Sequence, residues 1–306
     1  MCSENTCKMN IKIKNPLSEN WYADPEARFY EGKYYIYVTR SAPYEEQLNH
    51  DCFVSSDLEN WEIKKDIIDI STFPWVKKAV WAPTIIEKNN KYYYIFASND
   101  IQNNDEIGGL EIGVSDSPTG PFKSYLKKPL IDKFINSAQP IDAHLFKDDD
   151  GKIYLYYGGW KHCNVAVMNE TMDGFVPFEN GEIFKEITPE DYVEGPCMMK
   201  KDGLYYFMWS CGAWGDGTYR VDYSVSDSPV SGFVSKGTIL SKDGKKYEGT
   251  GHNGFIQIDG TNNFLCAYHR RKIDIKDRDA RFLCIDKIEF DNEKIKPIKL
   301  TDECVL

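Results

Sequence analysis

The sequence predicts an all-β protein: a five-bladed β-propeller with four-stranded antiparallel blades around a central channel. The first observation is a repeat of five strand-like segments, whose first aromatic residues stand at 34, 92, 154, 205 and 264, 51 to 62 residues apart. The second is a turn rich in Gly, Asp, Asn or Lys before each segment, which is a hairpin signal. Sheets that repeat radially in this way form a propeller with short, protected edges.

Each repeat contains the same elements in the same order. The first strands read YADPEARFY, VWAPTIIEK, PIDAHLFKD, VEGPCMMKK and TGHNGFIQI. The aromatic second strands read KYYIYVT, KYYYIFAS, KIYLYYGG, GLYYFMWS and NFLCAYH. The third strands end in a polar turn and an aromatic residue: FVSSDLENW, IGVSDSPTGPF, VAVMNETMDGF, YSVSDSPVSGF and FLCIDKIEF. No linker interrupts the series, so we predict one domain over 1–306 with a short N-terminal tail (about 1–14); two unrelated β-sandwiches would not share the period.

The composition excludes several classes of partner. Among the 306 residues, 37 basic and 48 acidic side chains give a net charge of −11, which disfavours nucleic acid and anionic membranes as partners. Aromatic residues make up 14%, a proportion that suits β-structure and also surfaces that stack on sugars. The N-terminal stretch MCSENTCKMNIKIKNP lacks the apolar core of a secretory signal, and the nine Cys lack metal-binding spacing. We therefore expect reduced thiols and a cytoplasmic location.

One position in the repeat collects chemically active residues. Asp24, Trp81, Asp142, Glu194 and His252 each precede the aromatic strand by 10 to 12 residues. This offset predicts that all five occupy one structural position, at the start of the innermost strand, and meet at one mouth of the channel. A single Asp before Pro is ordinarily a turn residue. Three acids in register among apolar residues are not explained in that way, because clustered buried carboxylates imply raised pKa values, shared protons or ligation.

The motifs at this position carry a resemblance to a known family. They are ADP at 23–25, WAP at 81–83, IDAHLF at 141–146, EGP at 194–196 and GHN at 251–253. In this order they resemble glycoside hydrolase family 43, five-bladed propellers that are mostly β-xylosidases, α-L-arabinofuranosidases and arabinanases. The resemblance implies that Asp24 is the general base, that Glu194 is the general acid and that Asp142 orients Glu194 and tunes its pKa. It also implies hydrolysis with inversion, which needs an acid and a base on opposite faces of the sugar.

Several aromatic and basic residues are further candidates for substrate binding. The resemblance assigns Trp81 to stacking on the glycone, with core packing as the alternative. Trp75, Trp160 and Trp214 suit the wall of a pocket as well as they suit core or rim packing.

An arginine binds the sugar in some members of the family. Arg270 and Arg271 are the candidates here, and RDARF at 278–282 offers rivals.

His252 is a candidate for contact with both substrate and metal. In many members of the family a His at this place contacts an axial calcium, largely through water. The resemblance therefore allows a structural calcium in the central channel, although one imidazole is a poor calcium site because that ion prefers oxygen ligands. We expect no cofactor to be required for the chemistry.

These observations predict a glycosidase that removes a terminal pentose, xylose or arabinofuranose, from small oligosaccharides derived from plant polysaccharides. The alternatives are an endo-acting arabinanase or xylanase of the same family and a non-catalytic carbohydrate-binding propeller. The related fructan hydrolases fit less well, because their first-blade signature NDPNG is replaced here by ADPEA and their RDP motif is absent. The sequence makes no prediction of oligomeric state.

Overall fold

The structure, a computed structural model, describes residues 11–306 and has the predicted architecture of a five-bladed β-propeller. Within each blade the strands are antiparallel neighbours in chain order, so each blade is a meander. The innermost strands of successive blades face one another around the central channel. The aromatic segments predicted from the sequence are the second strands of the five blades.

The bounds of the elements follow the repeat. The first strand of the described residues is β1 (Lys12–Lys14). Blade one contains β2 (Tyr22–Tyr30), β3 (Lys33–Arg40), β4 (His50–Ser55) and β5 (Glu62–Lys64). Blade two contains β6 (Trp81–Lys88), β7 (Lys91–Ser98), β8 (Gly109–Ser115) and β9 (Lys123–Ser124). Blade three contains β10 (His144–Lys147), β11 (Ile153–Tyr157), β12 (Asn164–Met168), β13 (Phe175–Val176) and β14 (Lys185–Glu186), the last two both paired with β12.

The second half of the chain continues in the same way. Blade four contains β15 (Glu194–Lys201), β16 (Leu204–Cys211), β17 (Arg220–Ser226) and β18 (Val234–Leu240). Blade five contains β19 (Tyr247–Gln257), β20 (Phe264–Lys272) and β21 (Phe282–Ile288). A small hairpin of β22 (Phe290–Asp291) and β23 (Lys294–Ile295) and the strand β24 (Glu303–Val305) follow. Two short 3-10 helices span Tyr44–Glu46 and Ile70–Thr72.

The N-terminal segment closes the ring by lying along the outer edge of blade five, which has three strands of its own. The Asn15 side chain donates to the carbonyl of Ile285 and accepts from its N–H, both at 2.8 Å. The N–H of Leu17 donates to the carbonyl of Leu283 at 2.9 Å. The segment before blade one thus satisfies edge groups of the last blade and joins the two ends of the ring.

Part of the predicted N-terminal tail is a strand. β1 pairs antiparallel with β24, and Ile13 and Cys304 are buried in the same apolar cluster between blades one and five. Residues 12–14 of the tail predicted over about 1–14 therefore form a strand. Residues 1–10 of that prediction lie outside the described residues.

The tyrosines of the second strands explain much of the aromatic surplus. Tyr37 and Tyr156 are fully buried. Their hydroxyls cross to the next blade and donate to the carbonyls of Pro118 and Pro229, each at 2.7 Å. Buried hydroxyls need partners, and here the partner ties one blade to its neighbour.

The cysteines packed between and within the blades are free thiols. They are Cys52, Cys163, Cys197, Cys211, Cys266, Cys284 and Cys304, all buried. In the part of the chain that the structure describes, no helix is long and apolar enough to cross a membrane.

Candidate active site

The start of each innermost strand has an unusual backbone conformation that shapes one mouth of the channel. In four blades the ladder to the second strand shifts register there, which is a β-bulge. One residue at this place in every blade has positive φ: Asp24 (51°), Ala82 (46°), Asp142 (55°), Gly195 (63°) and His252 (45°). A bulge sets two residues against one on the partner strand and redirects their side chains.

The bulges correct the prediction that five functional residues share one position. Asp24, Asp142 and His252 are the positive-φ residues of their blades. Trp81 and Glu194 instead come one residue earlier, as the last paired residues before the bulge. The sequence spacing does not reveal this offset of one residue in blades two and four, because a bulge has no characteristic residue pattern. Both positions nevertheless direct a side chain to the channel mouth.

The five residues do meet in one pocket of about 230 Å³, to which all five blades contribute. Its lining consists of carboxylates, aromatic rings and a few polar groups: Asp24, Tyr44, Trp81, Asp100, Gln139, Ile141, Asp142, Trp160, Glu194, Trp214, His252 and Arg281. Such a pocket is smaller than the ~300–1,000 Å³ of common small-molecule sites and suits a single sugar ring.

Asp24 is a buried carboxylate held in its ionised form. Arg281 donates from Nη1 to its Oδ1 at 3.3 Å, and Nδ1 of His252 lies 3.5 Å from the same oxygen. Burial alone raises the pKa of Asp24, but the positive charge of Arg281, the largest of the opposing causes, lowers it to about 2. The net effect is a carboxylate that is ionised near neutral pH.

Glu194 and Asp142 are shifted in the opposite direction. Burial is the largest cause for both: it raises the pKa of Glu194, and together with the negative charges of Glu194 and Asp24 it raises that of Asp142 well above its usual value. Oδ2 of Asp142 accepts the backbone N–H of Gly195 at 3.0 Å. This hydrogen bond joins Asp142 to the residue that follows Glu194.

Tyr219 holds the other side of the Glu194 carboxyl group. Its hydroxyl donates to Oε1 at 2.8 Å, and its ring lies nearly parallel to His269, with centroids 5.7 Å apart. Nδ1 of His269 accepts the backbone N–H of Asp24 at 3.3 Å. A Cβ on Gly251 would stand 2.1 Å from the Tyr219 ring, so only glycine permits this approach. One stacked pair thus contacts both Asp24 and Glu194.

His252 lies between two carboxylates. Its Nδ1 is 3.5 Å from Asp24 and 3.6 Å from Oδ2 of Asp142. Burial lowers the pKa of His252, against the attraction of Asp24. The imidazole is therefore neutral near pH 7 and separates two carboxyl groups.

The calcium that the resemblance allows in the central channel stays a prediction, and the carboxylate oxygens beside His252 are those of Asp24 and Asp142. Other oxygens of the innermost strands bind Arg28: Oε1 of Glu26 at 2.6 Å and the carbonyls of Ile85 at 3.0 Å and Leu145 at 2.5 Å. The other carboxylate oxygen of Glu26, Oε2, lies 3.1 Å from Nδ1 of His144. Among residues 11–306, no group of three His, Cys, Asp or Glu side chains is arranged to hold a metal ion. A guanidinium supplies the positive charge in this part of the channel.

The predicted tryptophans divide into two groups. Trp81, Trp160 and Trp214 line the pocket, whereas Trp75 lies outside it and donates from Nε1 to Glu111 at 2.8 Å. The indole of Trp81 donates to Gln47 and meets the edge of the Tyr44 ring, with centroids 4.8 Å apart. Its orientation is set by these contacts.

The arginine in the pocket is Arg281, which precedes β21. Arg270 and Arg271 lie on the second strand of blade five, away from the pocket. Arg270 is buried, donates to the carbonyl of Thr301 at 2.7 Å and packs over a tyrosine ring. Arg271 pairs with Glu248 at 3.1 Å. This placement contradicts the prediction that Arg270 and Arg271 contact substrate: second-strand side chains point between blades, whereas the turn into the third strand reaches the channel mouth.

Two polar pocket residues have no signal in the sequence. Nε2 of Gln139 donates to Oδ1 of Asp100 at 2.9 Å, which places an amide and a carboxylate side by side in the lining. Both lie in irregular segments between strands, where no repeat positions them. Arg281, in contrast, belongs to the segment RDARF at 278–282, which the sequence analysis names as a rival source of the substrate-binding arginine.

A propeller that gathers an ionised carboxylate, raised-pKa carboxyl groups and aromatic walls in a pocket for one sugar ring has the features of a glycoside-cleaving enzyme. The family model "Glycosyl hydrolases family 43" matches residues 13–295, and the chain belongs to this family.

Individual relatives are named for different activities. The chain is 39% identical to a β-D-galactofuranosidase of Aspergillus niger, over 98% of this chain and 89% of the relative. It is 28% identical to a β-xylosidase of Xylanibacter ruminicola, over 94% and 100%. The solved structure of an α-L-arabinofuranosidase from Clostridium thermocellum superposes with a TM-score of 0.74 at 29% identity, covering 92% of this chain and 95% of that one.

Proposed function

We propose that the protein is an exo-acting, inverting glycosidase that releases a terminal pentose from oligosaccharides derived from plant polysaccharides. The observation that carries this proposal is the opposite shift of two carboxyl groups in one small pocket. The pKa of Asp24 is lowered to about 2, whereas that of Glu194 is raised. Environments that push two pKa values apart assign one group as base and the other as acid.

The proposed reaction uses the two groups in one step. Asp24 takes a proton from a water molecule while the water oxygen forms a bond to the anomeric carbon. As the bond from this carbon to the leaving oxygen breaks, Glu194 gives its proton to that oxygen. Asp142 and Tyr219 hold Glu194 in place through Gly195 and Oε1. The sugar leaves as a hemiacetal of inverted configuration.

The walls of the pocket support action on a chain end. The Tyr44 ring contacts Trp81, and the Arg278 guanidinium lies between the rings of Tyr44, at 5.7 Å, and Trp214, at 4.6 Å. This wall runs from blade two through blades one and five to blade four. A polysaccharide chain would need a groove open at both ends, whereas a pocket of about 230 Å³ closed along one side suits a terminal residue.

Arabinofuranose is our first candidate for the sugar, xylose is the other pentose, and β-D-galactofuranose is a second candidate function. The ring stereochemistry of an α-L-arabinofuranoside is that of a β-D-galactofuranoside without its terminal carbon. A pocket for one can therefore accept the other when there is room beyond C4. The 39% identity with a galactofuranosidase favours including this sugar.

A panel of nitrophenyl glycosides tests the proposal. It contains the α-L-arabinofuranoside, β-D-xyloside and β-D-galactofuranoside, and proton NMR follows the anomer that forms first. We expect hydrolysis of one of the two pentosides with inversion. A preference for the galactofuranoside would replace the pentose assignment by the second candidate. Retention of configuration, or hydrolysis of polymeric arabinan or xylan from within the chain in preference to the panel, would contradict the proposal.

Replacing Arg281 by Met is expected to move the acidic limb of the kcat/KM profile to higher pH by ~1–3 units. The base works only when ionised, and its pKa is low because Arg281 stabilises the carboxylate form. Without that charge Asp24 binds its proton at higher pH, so activity is lost earlier as the pH falls. Arg281→Lys keeps the charge and serves as the control, with a smaller shift. Equal acidic limbs in wild type and Arg281→Met would show that Arg281 does not set the pKa of the base.

A further inference from the structure

We propose that a cavity on the flank of blade four, facing blade three, is a second carbohydrate site that binds one neutral sugar unit away from the active-site pocket. The cavity has a volume of about 500 Å³, within the ~300–1,000 Å³ of common small-molecule sites. It shares no lining residue with the active-site pocket. Its walls are the segment 185–190, which follows β14, and the loop 230–233, and its buried floor contains Trp209 and Ser224.

Two polar groups on this floor have no partner. Ser224 and Trp209 are each 2% exposed, and neither the Ser224 hydroxyl nor the indole N–H of Trp209 makes a hydrogen bond within residues 11–306. Buried polar groups are normally paired, because an unpaired one has lost its bonds to water. On the facing wall, in contrast, the Thr188 hydroxyl donates to Glu186 and accepts the N–H of Cys163, both at 2.9 Å. The groups left unpaired are therefore those that a ligand in the cavity can satisfy.

Strand pairing directs these groups to one face of the blade. Ser224 lies opposite Phe207 of β16 on one side and opposite Ser235 of β18 on the other. Directly opposed residues of antiparallel strands point to the same face, and Trp209 shares this face because it lies two residues from Phe207. Ser235 is exposed, whereas Ser224 is buried. The two serines thus place one hydroxyl at the mouth of the cavity and one at its floor.

The rest of the lining suits a neutral sugar better than an ion. Half-buried apolar side chains cover the walls: Ile187, Pro189, Val230 and Phe233. The charged residues are one lysine and two glutamates, Lys185, Glu186 and Glu190, which together with the net charge of −11 disfavour an anion. A sugar offers an apolar C–H face to such walls and hydroxyls that accept from an indole and exchange hydrogen bonds with a serine. That the sugar is a pentose unit of an oligosaccharide rests on the proposed function.

The test follows the indole N–H signals of the isotope-labelled, inactive Asp24→Asn protein by two-dimensional NMR, during titration with xylobiose and with arabinobiose. The chain has seven tryptophans, and single replacements by phenylalanine assign their signals. Trp81, Trp160 and Trp214 report on the active-site pocket, and Trp209 reports on the cavity. We expect the Trp209 signal to shift along a binding curve of its own.

Three variants connect that shift to the cavity. Ser235→Phe fills the mouth and is expected to abolish the shift of Trp209 while the pocket signals still move. Lys236→Phe is the matched control, because Lys236 is the next residue of β18 and is also exposed but does not line the cavity. Ser224→Ala should weaken the binding that Trp209 reports by ~3–10-fold, as loss of one hydrogen bond does. In the active protein, none of the three should change kcat for a nitrophenyl glycoside.

The contrary outcomes are distinct. A Trp209 signal that stays in place when the pocket signals are saturated would overturn the proposal. A Trp209 shift that follows the pocket curve and persists in Ser235→Phe would also overturn it, because the change would then be transmitted from the pocket. An equal response to glycerol would overturn the assignment to a sugar. Failure of the proposed function would appear instead as pocket signals that do not move and a wild-type protein that hydrolyses none of the glycosides.

Discussion

Asp24→Asn is expected to lower kcat by ~10²–10⁴-fold while substrate affinity changes little. The amide has nearly the same shape as the carboxylate but cannot take a proton from water. Asp24 is the carboxylate of the pocket with a pKa of about 2, so near neutral pH it is ionised. Its hydrogen-bond partner Arg281 can still donate to the amide oxygen, which preserves the local geometry.

The measurement is kcat and KM for Asp24→Asn, accompanied by Asp24→Ala with added azide. Azide is a nucleophile that needs no general base, so it should restore turnover in Asp24→Ala and give a glycosyl azide of inverted configuration. Asp148→Asn is the control, since Asp148 is also a carboxylate in hydrogen bonds, with Lys200 and Tyr205, but lies in a hairpin turn outside the pocket. Wild-type turnover in Asp24→Asn would remove Asp24 from the role of base.

The repeat made the propeller and its pocket predictable. Strands with the same pattern occur five times, so the residues that precede them had to converge on the channel whatever their exact register. Asp24, Asp142 and Glu194 consequently meet in one pocket in the structure. The offset of Trp81 and Glu194 by one residue was not predictable, because the bulge is a backbone feature that Ala82 and Gly195 adopt without a distinctive pattern.

Closure of the ring depends on pairing between residues far apart in the chain. Asn15 and Ile285 are bonded across 270 positions, and no local propensity marks either residue for that contact. The sequence repeat describes what each blade contains, but not which segment covers the last blade. For this reason the N-terminal segment was predicted as a tail.

The arginines show a similar limit. Arg270 and Arg271 lie near the end of β20, and Arg281, ten residues further on, directly precedes β21. Which of them faces the channel depends on the register of β20 and on the path of the turn after it. The role of Tyr219 is still harder to predict from the sequence. Its contact with Glu194 joins the start of β17 to the start of β15 across the blade.

Glu194→Gln is expected to lose more activity on substrates whose leaving group must be protonated than on substrates whose leaving group is stable as an anion. On a disaccharide, whose leaving alkoxide must be protonated, the loss should be ~10²–10⁴-fold. On a 2,4-dinitrophenyl glycoside, whose leaving group is stable as an anion, it should be small. The glutamine can still accept from Tyr219, so the pocket keeps its shape while the proton is lost. The basic limb of the pH profile should disappear, because the wild-type limb reports deprotonation of an acid whose pKa is raised.

The control for this result is Glu111→Gln. Burial raises the pKa of Glu111 to about 7, and the carboxyl group bonds to Trp75 and Ser98 away from the pocket. Because Glu111 does not reach the substrate, its replacement should leave the ratio of the activities on the two substrates unchanged. If Glu194→Gln lowered activity on both substrates equally, the residue would be needed for folding or binding. The proton donor would then have to be sought elsewhere, with Asp142 and Asp100 as the other pocket carboxyl groups whose pKa is raised. Selective loss on the disaccharide, absent in Glu111→Gln, assigns proton donation to Glu194.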